Sequence, residues 1–305
     1  MDIRVFTPDE LPVVLRALRA VSASPRGAEL CAAIARIHAA TADLSAGPAE
    51  PAAVAPAVTR PHARLRLVQL AMIAALVDGM PTPAAARAVS DLASALGVRE
   101  PGLAVIRQLA RGNRGVARVL MMRRMFGRFA RDAFRREGFK GLRRLILPLW
   151  FGRGLDPALH ARYNALGELP PGTLGHAVFD HWNDNKFTFP GAPGAIPEQM
   201  VFHDIGHLLA GFSTRPGDEI QQAAFQSGFM RRDGFSILLF GVMQFHLGIK
   251  VTPVAPGFVG WFDIPKVFRA LERGAACIDL SEGWTIWSDA TRPLAEIRAA
   301  YGVHG

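Results

Sequence analysis

The chain has 305 residues, half of them hydrophobic, and a net charge of +9; this excludes a disordered chain, and the length points to two domains. Its two cysteines, Cys31 and Cys277, match no disulfide, zinc or redox spacing and read as small apolar residues in a reducing compartment. The charge is localised: residues 111–144 hold twelve Lys and Arg against Asp132 and Glu137, a local +10, and the remainder sums to −1.

Alanine, leucine and arginine dominate, and period-two runs of β-branched residues are scarce, so an all-α fold is expected. Thr7-Pro8-Asp9-Glu10 reads as a helix cap with a capping-box glutamate, and Phe6 and Leu11 are placed for a hydrophobic staple. No secretory signal precedes it, so a cytoplasmic protein is expected. A second helix follows Ser24-Pro25 through Leu30, Ile34 and Ile37, and the Ala/Pro-rich residues 47–61 read as a flexible connection. Leu65, Leu67, Val68, Met72, Ile73 and Leu76 form an apolar helix ending at Asp78-Gly79. Thr82-Pro83 starts the next, with Val89, Leu92, Ala93 and Leu96 on one face and Gly97 at its end.

An apolar helix running into an Asp-Gly turn and a second helix resembles the tellurite-resistance TerB-like helical domain, over about the first 110 residues. Ala84, Ala85 and Ala86 stand where that family often carries acids, so no metal site is carried over. A small helical interaction domain over residues 1–115 is the expectation.

Residues 116–152 read as a basic amphipathic connecting segment. On a helical wheel Met122, Met125, Phe126, Phe129 and Ala133 share one side, and Arg123, Arg124, Arg128, Arg131 and Arg135 span the other. Leu142, Leu145, Ile146, Leu147, Leu149, Trp150 and Phe151 follow, with Arg143 and Arg144 interleaved. This pattern suits docking on an anionic membrane surface from the cytoplasmic side, where each Lys or Arg contributes about 1 kcal/mol. A solvated Arg face on a packed helix is the competing reading. No nucleic-acid module accompanies the patch, so no nucleic-acid partner is expected. The most apolar internal stretch, residues 235–249, contains Gln244 and His246 and falls short of the about 20 residues of a membrane span.

In the C-terminal part, residues 153–305, a helix opening at Ile196-Pro197-Glu198 carries His203-Asp204-Ile205-Gly206-His207 and fades at Gly211. The spacing puts His203, Asp204 and His207 on one face. Residues 212–217 reverse the chain and set Glu219 in the first turn of the next helix, opposite them. The four residues His203, Asp204, His207 and Glu219 are therefore expected to bind a divalent metal, zinc first, with iron or manganese compatible with the same donors.

The pattern His-Asp-x-x-His, eleven residues, then Glu resembles the signature of the ubiquinone (coenzyme Q) biosynthesis protein family numbered fourth in the yeast series. Residues 167–175, Gly-Glu-Leu-Pro-Pro-Gly-Thr-Leu-Gly, and Leu294 to Arg298, Leu-x-x-Ile-Arg, extend the likeness over about half the chain. The resemblance implies an all-helical, peripheral membrane protein with zinc on this signature. It further implies a prenylated aromatic quinone precursor as ligand, with other quinone-biosynthesis enzymes as partners. The implied role is scaffolding or oxidative decarboxylation at ring carbon 1, with His203, Asp204 and Glu219 in the reaction. The first 150 residues have no counterpart in that family. A tail channel is expected along residues 225–247, whose helices are apolar on every face. His176, Asp180, His181 and His246 are candidates for supporting roles.

Two other functions compete. An HD-type metal-dependent phosphohydrolase would use the His203-Asp204 doublet with His176 or His181 upstream and Asp233 downstream, leaving His207 and Glu219 idle. A non-catalytic membrane scaffold with a structural metal shares every feature above. Homo-oligomerisation is left open by the sequence.

Overall fold

This computed structural model describes residues 1–43, 47–151, 156–252 and 255–303, and the backbone alone at Arg128, Arg144, Leu145 and residues 147–151. The expected domain boundary at 152–153 and, in the apolar run over 142–151, the side chains of Leu145, Leu147, Leu149, Trp150 and Phe151 therefore lie outside the described residues. All regular structure among the described residues is helical, with two isolated bridges, Thr173 to Pro293 and Leu247 to Val259.

Helix α1 spans Leu11–Val21. The capping box upstream of it is formed: Thr7 N–H donates to Glu10 Oε2 (2.9 Å) and Glu10 N–H to Thr7 Oγ1 (3.2 Å). Helix α2 (Pro25–Ile37) is capped by Ser24, whose hydroxyl accepts from Gly27 N–H. The stretch read as a flexible connection contains a short helix, α3 (Pro51–Ala57). Val54 and Val58 are fully buried there, and Arg64 donates to the Ala55 and Val58 carbonyls, so tertiary contacts hold a segment whose sequence shows no helical period. Helix α4 (Pro61–Ala74) is almost wholly buried over its second half; α5 (Pro83–Ala95) has Thr82 as its cap and Gly97 in a left-handed conformation beyond it. Helix α6 (Gly102–Ala110) leads into α7 (Arg114–Phe151), which breaks at Gly138 (φ 59°, ψ −142°).

The rest of the fold comprises α8 (Pro157–Asn164), α9 (Leu174–Asp184), α10 (Phe202–Ala210), α11 (Pro216–Phe229), α12 (Gly234–Phe245), α13 (Ile264–Ala276) and α14 (Leu294–Ala300). One hydrophobic core runs continuously from Met1 to Val303 across the two halves. Polar ties reinforce it: His246 Nε2 donates to the Leu76 carbonyl (3.1 Å), and Arg26 donates to the carbonyls of Val77 (2.7 Å) and Phe262 (2.6 Å).

Helices α11 and α13 meet along a glycine seam. A Cβ added at Gly274 would lie 1.9 Å from the Phe225 carbonyl oxygen, and one at Gly228 would lie 2.4 Å from that of Leu271. Both obstacles are backbone, so only glycine permits this approach.

Helix α7 is amphipathic in the expected sense on its apolar side, where Met121 and Met125 are buried and Phe126 and Phe129 pack on the core. Arg123, Arg131 and Arg135 are exposed. Arg124, placed by the wheel on the solvent side, instead turns into the protein with its side chain 9% exposed and pairs with Glu100 and Asp233. The beginnings of α6 and α12 reach α7 from that side and supply the two carboxylates. No helix among the described residues is long and apolar enough to cross a membrane.

Candidate metal centre

The expected helix over 196–211 divides into a short 3₁₀ turn at Glu198–Met200 and α10 proper. Gly211 ends α10 with φ 74°, a left-handed cap that turns the chain directly toward α11. Pro216 occupies the first turn of α11, and Glu219 follows in the same turn, where the positive end of the helix dipole favours a carboxylate. Gly206 lets the two helices close: a Cβ there would lie 2.0 Å from Gln222 Nε2, whose amide donates to the His203 carbonyl (2.9 Å).

His203, His207 and Glu219 come together, with one ligand atom from each within 4.8 Å of the others. The Nε2 atoms of both imidazoles stand 3.7 Å from the same Glu219 oxygen, Oε2. Both Nδ1 atoms face acceptors: Gln226 Oε1 for His203 (2.8 Å) and the Phe212 carbonyl for His207 (3.3 Å). Each ring therefore holds a proton on Nδ1 and turns Nε2 toward the carboxylate, the tautomer that metal-binding histidines adopt when an outer partner orients them. Burial alone would raise the Glu219 pKa, but contacts with His203 and His207 outweigh it and hold the carboxyl at about 2. Burial would lower the pKa of His203, but Glu219 outweighs that and raises it to about 9.

Asp204 is not in this cluster. It is buried, and its Oδ2 accepts from the Trp182 indole N–H at 2.7 Å, a partner 22 residues upstream that no local spacing reveals. Of the candidate supporting residues, His181 stacks on His207 at 5.8 Å between ring centroids, and burial lowers its pKa. His176 is held by the Leu169 carbonyl (2.8 Å) and stands 3.5 Å from Asp180, while His246 is engaged at the α4 end. Asp233, the downstream carboxylate of the phosphohydrolase reading, is paired with Arg124 and stands outside the cluster.

Gln226 was not among the sequence candidates, although it lies seven residues after Glu219 and so on the same face of α11. The Phe212 carbonyl carries no side-chain signal at all.

The cluster opens on a cavity of about 410 Å³ whose apolar lining includes Ile196, Met200, Phe202, Ile237, Phe240 and Phe245. Phe225 and Phe229, expected along a tail channel, are instead fully buried core residues. A second cavity, of about 680 Å³, lies between α7 and residues 280–287 and shares only Phe129 and Phe202 with the first.

The chain is thus an all-helical protein carrying a partly buried two-histidine, one-carboxylate cluster beside a largely apolar cavity. No protein-family description and no curated protein matches it. Among solved structures, a candidate ubiquinone biosynthesis protein from Nostoc punctiforme PCC 73102 aligns over 67% of this chain and 97% of its own. The identity is 20% and the TM-score 0.38.

Proposed function

We propose that this chain holds a divalent metal on His203, His207 and Glu219 and binds a prenylated aromatic precursor of a quinone in the adjoining cavity. It would act in quinone biosynthesis as a scaffold for the other enzymes or as an oxidative decarboxylase at ring carbon 1. The observation that carries this reading is the convergence of two oriented Nε2 atoms and one carboxylate on an apolar cavity. The donor set fits zinc, and iron or manganese by the same ligand logic. A bound ion would supply Lewis-acid polarisation of a carboxylate or phenolate oxygen.

The protein's own groups have separate tasks. Gln226 and the Phe212 carbonyl fix the two imidazoles. Trp182 holds Asp204 at the cavity wall, outside the ligand cluster. Phe202, Ile237 and Phe240 keep the cavity dry, as an isoprenoid tail requires. Glu219→Ala should stop quinone production in a host dependent on this gene while leaving the helical content intact. Normal quinone levels in a deletion strain would overturn the reading, and loss on deletion but not on substitution would select the scaffold.

A water-insoluble precursor must be taken from a membrane, and α7 offers a surface for that. Phe139 is 76% exposed and Phe134 46% exposed, with ring centroids 5.3 Å apart, among exposed Arg131, Arg135, Arg136, Lys140 and Arg143. Apolar rings framed by cations fit the headgroup boundary of an anionic bilayer. Vesicles containing phosphatidylserine should sediment the protein at low salt and release it at high salt. Arg131, Arg135 and Arg136 changed together to Glu should release it as well; sedimentation indifferent to both would exclude docking through α7. Arg124 is unsuited to this test because it is built into the fold.

A further inference from the structure

Helix α9, which borders the metal cavity, ends in a double hydrogen-bonded cap. Phe187 N–H donates to the Trp182 carbonyl (2.8 Å) and Lys186 N–H to the Asn183 carbonyl (3.0 Å). Lys186, at the centre of the cap, is left-handed with φ 56°. Glycine is usual there, because a Cβ makes the conformation strained. Ala39 closes α2 in the same way (φ 52°), so the conformation alone assigns no role.

What distinguishes Lys186 is its place. It lines the cavity of the ligand cluster and is the only Lys or Arg among the described residues that do so. It makes no ion pair with a described residue, and the carboxylates on the same lining, Asp204 and Glu219, are engaged by Trp182 and by the two histidines. The exposed lining residues are Lys186, Phe187, Thr188 and Gly194, which mark the solvent-facing edge. Phe187 meets His181 edge-on at 5.9 Å, and His181 stacks on His207, so the lysine and the ligand cluster share one wall. Thr214 Oγ1 donates to Asn185 Oδ1 (2.7 Å), tying this corner to the loop between α10 and α11. A cation without an ion-pair partner at the edge of a largely apolar cavity is placed to receive an anion.

We propose that Lys186 is the anion-recognising residue of this cavity and takes the carboxylate of an amphiphilic acid whose apolar part fills it. The proposal rests on the function given above and narrows it: the chain selects the acid over the ester, the alcohol or the decarboxylated product.

Calorimetric titration with two matched pairs tests it: farnesylated 4-hydroxybenzoate with its methyl ester, and dodecanoate with dodecanol. Each acid should bind the wild type about tenfold more tightly than its neutral partner, the scale of one charge-assisted hydrogen bond. Lys186→Met should abolish the difference and Lys186→Arg should restore it. Lys186→Gly should abolish it and, by releasing the strain, raise Tm by about 2 °C, a gain that a merely structural lysine would not trade against binding. Acids bound by Lys186→Met as by the wild type, or by neither, would overturn the proposal. Lys186-dependent binding of dodecanoate without binding of the farnesyl compounds would uphold the proposal and remove the quinone reading. Farnesyl acid and ester bound equally by wild type and Lys186→Met would do the reverse.

Discussion

Replacing His203 or His207 by alanine should strip the chain of tightly held divalent metal, which the unaltered protein should carry at about one per chain. With three donors in the cluster, loss of one leaves too few bonds to retain an ion through purification. Gln226→Leu should weaken binding about 10- to 100-fold, because it frees the His203 ring without touching the donor. Binding should also depend on pH in a definite direction. The His203 pKa is raised to about 9 by Glu219 against the opposing effect of burial, so at pH 7 the metal-free ring is protonated and metal must displace that proton. Apparent affinity should rise about tenfold per unit from pH 7 and level off near pH 9. Glu219, held near 2, is ionised throughout that range and adds nothing to the slope. The metal-free fold responds in the opposite sense. The His203 contribution to stability is full below its ordinary value of about 6.5 and is lost as pH passes about 9. The Glu219 contribution is present above its ordinary value and is lost as pH falls toward 2. Elemental analysis and calorimetry in buffers of different ionisation enthalpy measure both effects. Full metal content in the double alanine variant, or binding at pH 7 without proton release, would defeat the assignment.

Arg124→Ala should be severely destabilising, by about 3–5 kcal/mol, the range found when one partner of a buried ion pair is removed. The Arg124 side chain is 9% exposed and that of Glu100 3%, and Glu100 also accepts from Gln69 Nε2 (2.8 Å) and from the Gly102 backbone N–H (2.9 Å). Without the guanidinium the Glu100 carboxylate would remain buried and uncompensated. Asp233, 40% exposed, can be rehydrated and contributes less. Arg124→Met combined with Glu100→Gln should recover part of the loss, since the stranded charge is then gone. Urea midpoints of the three proteins decide it, and an Arg124→Ala midpoint within experimental error of the wild type would show that Arg124 holds nothing.

These two sites mark what could and could not be read from the chain. Caps at Ser24 and Thr82 and the turns at Gly97 and Gly211 were legible because each acts through backbone groups within a few residues of itself. The all-α fold followed from composition and period, and the hairpin carrying His203, His207 and Glu219 followed from spacing. Legibility ended where distant residues decide. Arg124 looks solvated on a wheel, and its partners Glu100 and Asp233, 24 and 109 residues away, show otherwise. Asp204 has the right helical position to join the cluster, and its bond to Trp182, 22 residues upstream, leaves no local signal in the sequence. Helix α3 has no period of its own, and burial of Val54 makes it a helix.

The seam between α11 and α13 bears on how the ligand residues meet an ion. At Gly228 and Gly274 the two backbones touch without intervening side chains, so α11 is fastened along its far side before any ligand arrives. Glu219 and Gln226 ride on that helix, and the rings they face are carried by α10, drawn close through Gly206. The entropy of ordering this part of the centre is therefore spent during folding and not at the moment of binding. In that respect the protein is unlike a zinc finger, whose chain collapses around its metal: an ion bound here would meet a pre-organised receptor, and chelation should empty the site without unfolding the helices around it.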